Sequence, residues 1–189
     1  MKKDLGVVPA IYPLPVLMIG TYDENGVPDV MNAAWGTMCG MDKVAVCLGS
    51  HKTTDNIAQT GAFTVALADA KHVKEADYFG IASARKTADK FARSGMTAVR
   101  SARVNAPIVE EFPLTMECEL LEEVRTDSLH MFVGRIVNVI ADEAVLDEQG
   151  KVDAAKLGAL AYEQFSSGYR TLGGRIAGAW EAGAPLTGE

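Results

Sequence analysis

The sequence of 189 residues lacks the motifs of metal centres and of activated nucleophiles. Its histidines stand at positions 51, 72 and 130, so HExxH and comparable metal-ligand spacings are absent. The cysteines at 39, 47 and 118 lie far apart without a CxxC pair, which argues against a zinc site and a disulfide framework. A G-x-S-x-G elbow is also missing. We therefore expect neither a bound metal nor a set of catalytic side chains.

The chain also lacks a basic excess and a long apolar run. Its 18 Lys and Arg against 25 Asp and Glu give a formal net charge of −7, which disfavours surfaces built for nucleic acid or anionic membrane. No apolar run approaches the roughly 20 residues that span a bilayer. The N-terminal "GVVPAIYPLPVLMIG" contains prolines and no typical cleavage site, so it does not predict a signal peptide. We expect a cytoplasmic protein without nucleic-acid or membrane partners.

The apolar pattern that is present predicts closely spaced strands. Strand-like segments cover 16–22, 27–35, 44–49, 62–68, 114–120 and 130–141, and "DENG" at 23–26 predicts a hairpin turn. Within 62–68, Phe63, Val65 and Leu67 share one face. The clearest alternation is "LTMECEL", which predicts that the apolar residues face inward while Thr115, Glu117 and Glu119 face solvent.

Helical patterns are short and few. They cover 53–61, with Thr53 or Thr54 as N-cap and Gly61 as the stop, and then 72–80, 87–95 and 153–168. Strands that follow one another with few intervening helices favour a mainly β fold with peripheral helices, organised as a β-barrel rather than as βαβ units. We expect one domain over residues 1–189.

The segment "GSHKTTDN" at 49–56 carries the most chemistry. Hydroxyls and cations at a helix N-terminus are typical of a phosphate site, because the first backbone N–H groups and the helix dipole favour an anion. The Walker pattern is absent, and "GGRIAG" at 173–178 does not match G-x-G-x-x-G. The alternative is that Thr53 and Thr54 only cap the helix while His51 and Lys52 are solvated.

Other residues are ambiguous when they are taken singly. Asn32 and Trp35 flank two alanines at a strand end, where a flat ligand can approach the backbone, but Trp35 also suits an ordinary core position. Lys90 beside a phenylalanine is common in an amphipathic helix. His130 at the start of an apolar strand suits a hydrogen-bonded structural role, and Phe165 suits a core or an interface.

In combination, these segments resemble the flavin reductase-like FMN-binding split-barrel family, in particular its flavoredoxin-type group. The resemblance covers most of the chain and rests on five segments in the expected order: "PLPVLMIGTYDENGVPDVMNAAWG", "SHKTTDNIAQTGAFTVAL", "DKF", His130 and "YRTLGG". It implies a Greek-key split β-barrel, a homodimer, and one FMN per subunit in a cleft near the dimer interface.

The resemblance also implies a set of FMN-binding residues. One group lines the isoalloxazine ring, a second holds the phosphate and the ribityl chain, and a third closes the pocket. In that order they are Asn32, Ala33, Ala34 and Trp35; Ser50, His51, Thr53, Thr54 and Asn56; and Lys90, His130 and Phe165. Two positions depart from the pattern, because Asp29 adds a negative charge near the flavin and His51 replaces an arginine that many relatives carry.

The activity implied by the resemblance is that of an NAD(P)H-dependent flavin oxidoreductase, with NADH or NADPH as electron donor. Because a flavin carries the redox chemistry itself, the absence of catalytic motifs agrees with this reading. One alternative is a flavoredoxin-type carrier that shuttles electrons between redox protein partners. Another is a flavin-binding protein with no redox partner.

Overall fold

A computed structural model describes residues 1–187, which form twelve strands and four α-helices. The strands are β1 Leu14–Pro15, β2 Leu17–Tyr22, β3 Pro28–Ala33, β4 Gly36–Gly40, β5 Lys43–Cys47, β6 Ala62–Leu67, β7 Ala98–Arg100, β8 Pro107–Val109, β9 Leu114–Arg125, β10 His130–Ala141, β11 Leu160–Glu163 and β12 Gly168–Thr171. The helices are α1 Lys52–Thr60, α2 Val73–Ile81, α3 Lys90–Ser94 and α4 Ala154–Leu157. The expectation of a mainly β fold with peripheral helices is confirmed.

Seven strands form one antiparallel sheet in the order β3-β2-β6-β9-β10-β5-β4. Its two edge strands, β3 and β4, follow each other in the chain, so the sheet curls round and is split where they meet. Ala34 and Trp35 form this connection, and the Cys47 amide donates to the Trp35 carbonyl at 2.7 Å. The predicted hairpin at 23–26 joins β2 to β3, with Asp23 accepting from the Asn25 and Val27 amides. The split therefore lies at the "MNAAW" segment.

The concave side of the sheet encloses the main apolar core. Phe63 and Val65 point into it from β6 and Leu67 packs at its margin, as their alternation predicts. Side chains from the other strands and from α1 complete the cluster: Leu17, Ile19, Ala33, Val44, Val46, Leu48, Ile57, Cys118 and Phe132. This packing anchors α1 against the barrel and fixes where its N-terminus lies.

The outer side of the sheet is covered as well, which corrects one expectation for β9. A second apolar cluster joins β2 and β3 to Phe79 of α2 and Phe91 of α3. Thr115 and Glu117, which alternation predicts to face solvent, are 1% and 2% exposed. The Glu117 carboxylate accepts hydrogen bonds from the Ser101 hydroxyl and, at 2.5 Å, from the Asn138 amide. The prediction from alternation was wrong for Thr115 and Glu117 because the segment around β7 and β8 packs over the face of β9 on which they lie.

The helix predicted over 153–168 is wrong beyond its first turn. It stops at α4 because Gly158 adopts the left-handed conformation at φ 56°. The following residues pair as β11 and β12 with β1 in a three-stranded sheet. Smaller corrections concern α1, whose N-cap is His51 rather than a threonine, and α2, which continues through Gly80 to Ile81. The strand β4 and the short strands β1, β7 and β8 were not predicted.

Candidate functional site

A cleft opens at the N-terminus of α1. Its first cavity measures ≈ 290 Å³ and lies between this N-terminus, the end of β3, and the segment from Phe79 to Lys86. The side chains of Asp29, Asn32 and Lys90 also line it. Lys52 and Lys86 supply positive charge, although Lys52 Nζ lies 2.7 Å from Glu24 Oε2 on the surface. The cavity joins a helix N-terminus to cationic side chains.

The two threonine hydroxyls at the start of α1 are already engaged. The Thr54 hydroxyl accepts from the His51 amide at 3.0 Å and donates to the His51 carbonyl at 2.8 Å. The Thr53 hydroxyl donates to Asp29 Oδ2 at 2.8 Å. Because a hydroxyl has a single proton, neither can donate to an anion while these bonds persist. The backbone amides of Lys52 and Thr53, which have no intrahelical acceptor, remain as donors.

Lys90 does not add free charge to the cleft. Its Nζ lies 3.0 Å from Asp29 Oδ1 within a buried pair, and it sits 5.8 Å from the centre of the Phe79 ring. With Thr53 on the other carboxylate oxygen, the three side chains join β3, α1 and α3 in a neutral cluster. The acidic residue at 29 therefore fixes one wall of the cleft and offsets the charge of Lys90.

Sequence reasoning missed a cation that lies close to the α1 N-terminus. Arg85, in the segment after α2, donates to the Ser50 hydroxyl oxygen at 3.2 Å and to Asp55 Oδ2 at 2.8 Å. The Ser50 hydroxyl keeps its own proton for another acceptor. The only sequence signal was the basic pair Arg85–Lys86 ahead of "DKF", and nothing local connects it to residues 35 positions earlier.

Trp35 and His130 meet at a second cavity of ≈ 460 Å³, whose lining includes Gly49 and Ser50. The Trp35 side chain is 62% exposed, which excludes the core position that its sequence context allowed. His130 Nε2 lies 2.7 Å from Glu123 Oε1, and its ring centre is 4.5 Å from that of Phe132. Ser50 and His51 separate this cavity from the first one.

A third cavity of ≈ 400 Å³ adjoins the first, because Asn32, Gly80 and Ile81 line both. Ala34 lines the third cavity only. The structure thus brings Asn32, Ala34, Trp35, Ser50, His51, Thr53, Lys90 and His130 around one region at the split of the barrel.

Several residues named from the sequence lie elsewhere. Asn56 is completely buried under α1, where its amide donates to the Thr21 hydroxyl at 3.0 Å. Ala33 points into the barrel core. Thr54 is buried within the first turn of α1. Phe165 is exposed beside Tyr12, with ring centres 6.3 Å apart, and it borders none of the three cavities in the same chain.

The site offers different chemistry at its two ends. The α1 N-terminus, Ser50 and Arg85 present N–H and O–H donors with positive charge, which suits an anion. The exposed indole of Trp35 and the small side chain of Ala34 suit a flat ring. Among residues 1–187, no group of three His, Cys, Asp or Glu could hold a metal ion. No helix in that range is long and apolar enough to cross a membrane.

Comparison with known proteins gives consistent matches. The sequence model of one protein family, described as the flavin reductase like domain, matches residues 10–173 of this chain. The structure is similar to flavoredoxin of Desulfovibrio vulgaris (Miyazaki F), with 36% identity and a TM-score of 0.92 over 97% of this chain and 100% of that one. It is also similar to flavoredoxin from Methanosarcina acetivorans, with 26% identity and a TM-score of 0.89. That match covers 98% of this chain and 99% of the other. An FMN-binding domain of a flavin reductase-like enzyme from Shewanella baltica shares the fold, with 21% identity and a TM-score of 0.76. That match covers 87% of this chain and 89% of the other.

Proposed function

The chain belongs to the flavin reductase-like family, and on that premise we propose that it is a flavoprotein that binds FMN at the split of its barrel. The observation that carries the proposal is the group of three cavities at the split of the barrel, with the α1 N-terminus and its cations at the first and the exposed Trp35 at the second. FMN has the same two ends, a phosphate and a flat ring joined by a ribityl chain. The residues present therefore fit the cofactor.

The phosphate would be held by the first-turn amides of α1, the Ser50 hydroxyl, His51 and the Arg85 guanidinium. A hydrogen bond to a charged group contributes about 1.5–3 kcal/mol. Three or four of them contribute about 4.5–12 kcal/mol before the costs of association, and the ring contacts would add to this in reaching the roughly −8 kcal/mol of micromolar binding. Thr53, Thr54 and Lys90 would act through the shape of the cleft, because their polar groups are engaged within the chain.

The isoalloxazine ring would lie along the end of β3, against Asn32 and Ala34, with Trp35 and His130 at its edge. When bound, FMN would supply the electron-transfer chemistry, and the protein would supply orientation and electrostatics. The Glu123 carboxylate accepts a hydrogen bond from His130 Nε2 at 2.7 Å and thereby fixes the orientation of the imidazole. Trp35 would cover apolar ring surface that is otherwise open to water.

We propose that the FMN takes electrons from NADH or NADPH, as in a flavin oxidoreductase. A second candidate is a flavoredoxin-type carrier that receives electrons from a redox protein. The whole-length similarity to flavoredoxin of Desulfovibrio vulgaris, at 36% identity, favours this candidate. The free thiols of Cys39, Cys47 and Cys118 support a reducing compartment, and we propose the cytoplasm.

We also propose a homodimer whose second subunit completes the cleft. Large apolar side chains lie exposed on the single chain, notably Trp35, Met41, Phe165 and Trp180. A second copy would cover such surface through a two-fold contact. Phe165, which stands away from the cleft of its own chain, would then be available to the cleft of the partner.

The test begins with purified protein reconstituted with FMN and freed of excess flavin. Retained yellow colour and quenching of Trp35 fluorescence on binding are expected, and a protein that does not bind FMN would refute the proposal. Anaerobic mixing with NADH and with NADPH then separates the candidates. Rapid bleaching of the flavin band by either nucleotide identifies the reductase. Bleaching only by a reduced protein donor identifies the carrier.

A further inference from the structure

The Asn32 side chain has a defined orientation. Its Nδ2 lies 2.9 Å from the Ala76 carbonyl oxygen and 3.3 Å from the Tyr169 hydroxyl. A backbone carbonyl only accepts hydrogen bonds, so the nitrogen and not the oxygen of the amide must point to α2. Both protons of the amide are thus engaged. The Oδ1 atom is the polar group that Asn32 can offer to a molecule in the two cavities that it lines.

Tyr169 and Asp77 give this arrangement a direction. The Tyr169 hydroxyl donates its proton to Asp77 Oδ1 at 2.9 Å, so towards Asn32 it can only accept. Burial and the hydrogen bond to Asp77 raise the pKa of Tyr169 to about 12, so the phenol keeps its proton at neutral pH. The Asn32 amide therefore donates a hydrogen bond to Tyr169, and Tyr169 donates one to Asp77.

Three elements meet at this point. Asn32 belongs to β3, Asp77 to α2 and Tyr169 to β12. Gly80 places α2 directly against Asn32, since a Cβ at that position would be in ordinary van der Waals contact with the Asn32 side chain, 3.4 Å from its Cβ and 3.8 Å from its Nδ2. The side chains are therefore fixed by contacts between elements that are far apart in the sequence.

We propose that Asp77 and Tyr169 are positioning residues that hold Asn32 Oδ1 as an acceptor for the imide N–H of the flavin ring. This rests on the proposed function. The imide N–H is the one N–H donor on the oxidised ring, whose other polar atoms accept hydrogen bonds. An amide turned the other way would present N–H groups to the imide N–H and lose that bond. The chain selects the orientation before the ligand arrives.

The experiment measures FMN affinity by fluorescence in a double-mutant cycle of Tyr169→Phe and Asn32→Ala. Tyr169→Phe alone is expected to weaken FMN binding about five- to tenfold, which corresponds to one hydrogen bond. In the Asn32→Ala background the same change should have no effect, because Tyr169 acts through Asn32. Equal effects in both backgrounds would overturn the proposal.

Tyr162→Phe is the matched control. Tyr162 pairs with Tyr169 across β11 and β12 and lines the same cavity, with the ring centres 6.1 Å apart. Removal of the Tyr162 hydroxyl should leave FMN affinity unchanged. Asp77→Asn is the second variant, since an asparagine can donate to Tyr169 and free the phenol proton to face Asn32. It should weaken FMN binding while the tyrosine stays in place, and unchanged binding would contradict the proposal.

FMN methylated at the imide nitrogen separates this inference from the proposed function. The parent protein should bind it more weakly than FMN, whereas Asn32→Ala should bind the two equally. If the parent binds FMN but does not discriminate against the methylated compound, the inference fails and the proposed function stands. If the parent binds neither, the proposed function itself has failed.

Discussion

Ser50 and Thr54 both carry a hydroxyl near the α1 N-terminus, but only Ser50 has a proton free for a ligand. Ser50→Ala should weaken FMN binding about tenfold or more, as expected for a hydrogen bond to a charged group, and leave the free energy of unfolding unchanged. Thr54→Ala should lower the free energy of unfolding by about 1 kcal/mol, because it removes the hydroxyl that accepts from the amide of the N-cap residue His51, and it should change FMN affinity little. Fluorescence titration and denaturant unfolding measure the two quantities. The opposite pattern would restore Thr54 as the phosphate ligand.

The buried Asp29–Lys90 pair makes the stability of the fold sensitive to one carboxylate. Asp29→Ala leaves an unpaired ammonium that is 5% exposed and should lower the free energy of unfolding by about 3–5 kcal/mol. Replacing both residues, as in Asp29→Ala with Lys90→Met, should recover most of that loss because no charge remains buried. Asp89→Ala is the control. It breaks an exposed pair with Arg93, which should hardly change stability. If Asp29→Ala changes the free energy of unfolding only slightly, the Lys90 ammonium is hydrated in the variant and the prediction is wrong.

Cys118 should be inert in the folded protein. Burial, with a smaller contribution from Glu117, raises its pKa from 9.0 to about 12, so the reactive thiolate is scarce below that pH. At pH 8, Ellman's reagent should modify the exposed Cys39 rapidly and Cys118 only after unfolding. Since the unfolded thiol ionises first, the stability due to Cys118 is full below pH 9.0 and declines as pH rises towards 12. Rapid native modification of Cys118 would contradict its burial.

At the scale of elements, the segment between α2 and α3 brings a cation to the start of α1. Arg85→Ala should weaken FMN binding and flatten its dependence on salt, because one charge near the phosphate is lost. Stability should change little, since the Arg85–Asp55 pair is exposed. Arg93→Ala, which removes a cation from α3 outside the cleft, should leave affinity unchanged. Riboflavin, which lacks the phosphate, should bind the parent and Arg85→Ala equally. A loss of riboflavin binding would instead indicate a distorted cleft.

For the whole molecule, the exposed apolar side chains at both ends of the chain bear on assembly. Ile176 and Trp180 are 99% and 97% exposed, and Leu5 and Val7 lie exposed near the other terminus. We expect sedimentation as a dimer of about 40 kDa, twice the 20.1 kDa of the chain. The dimer should persist without FMN, because apolar burial rather than the ligand would drive it. A monomer that binds FMN tightly would contradict a cleft completed by a partner.

The sequence by itself determined those features that depend on neighbouring residues. β10 covers 130–141 as its apolar run predicts, and "DENG" closes the β2–β3 hairpin because turn residues act locally. The helix after "GSH" follows from its own pattern, and a helix start leaves backbone N–H groups without intrahelical acceptors. The family resemblance rested on the order of such segments, and it identified the split-barrel fold.

Only the tertiary structure decided what each polar side chain does. From the sequence, Thr53 and Thr54 were candidate phosphate ligands. In the fold, Thr53 is hydrogen-bonded to Asp29 and Thr54 to the His51 backbone. Arg85 and Tyr169 join the cleft across long chain separations, and no local pattern records such contacts. Residues 160–163 became a strand because β1 and β12 offered backbone partners that outweigh helix propensity. Hydrogen-bonding capacity is limited, so the role of a group depends on which partner the fold brings to it.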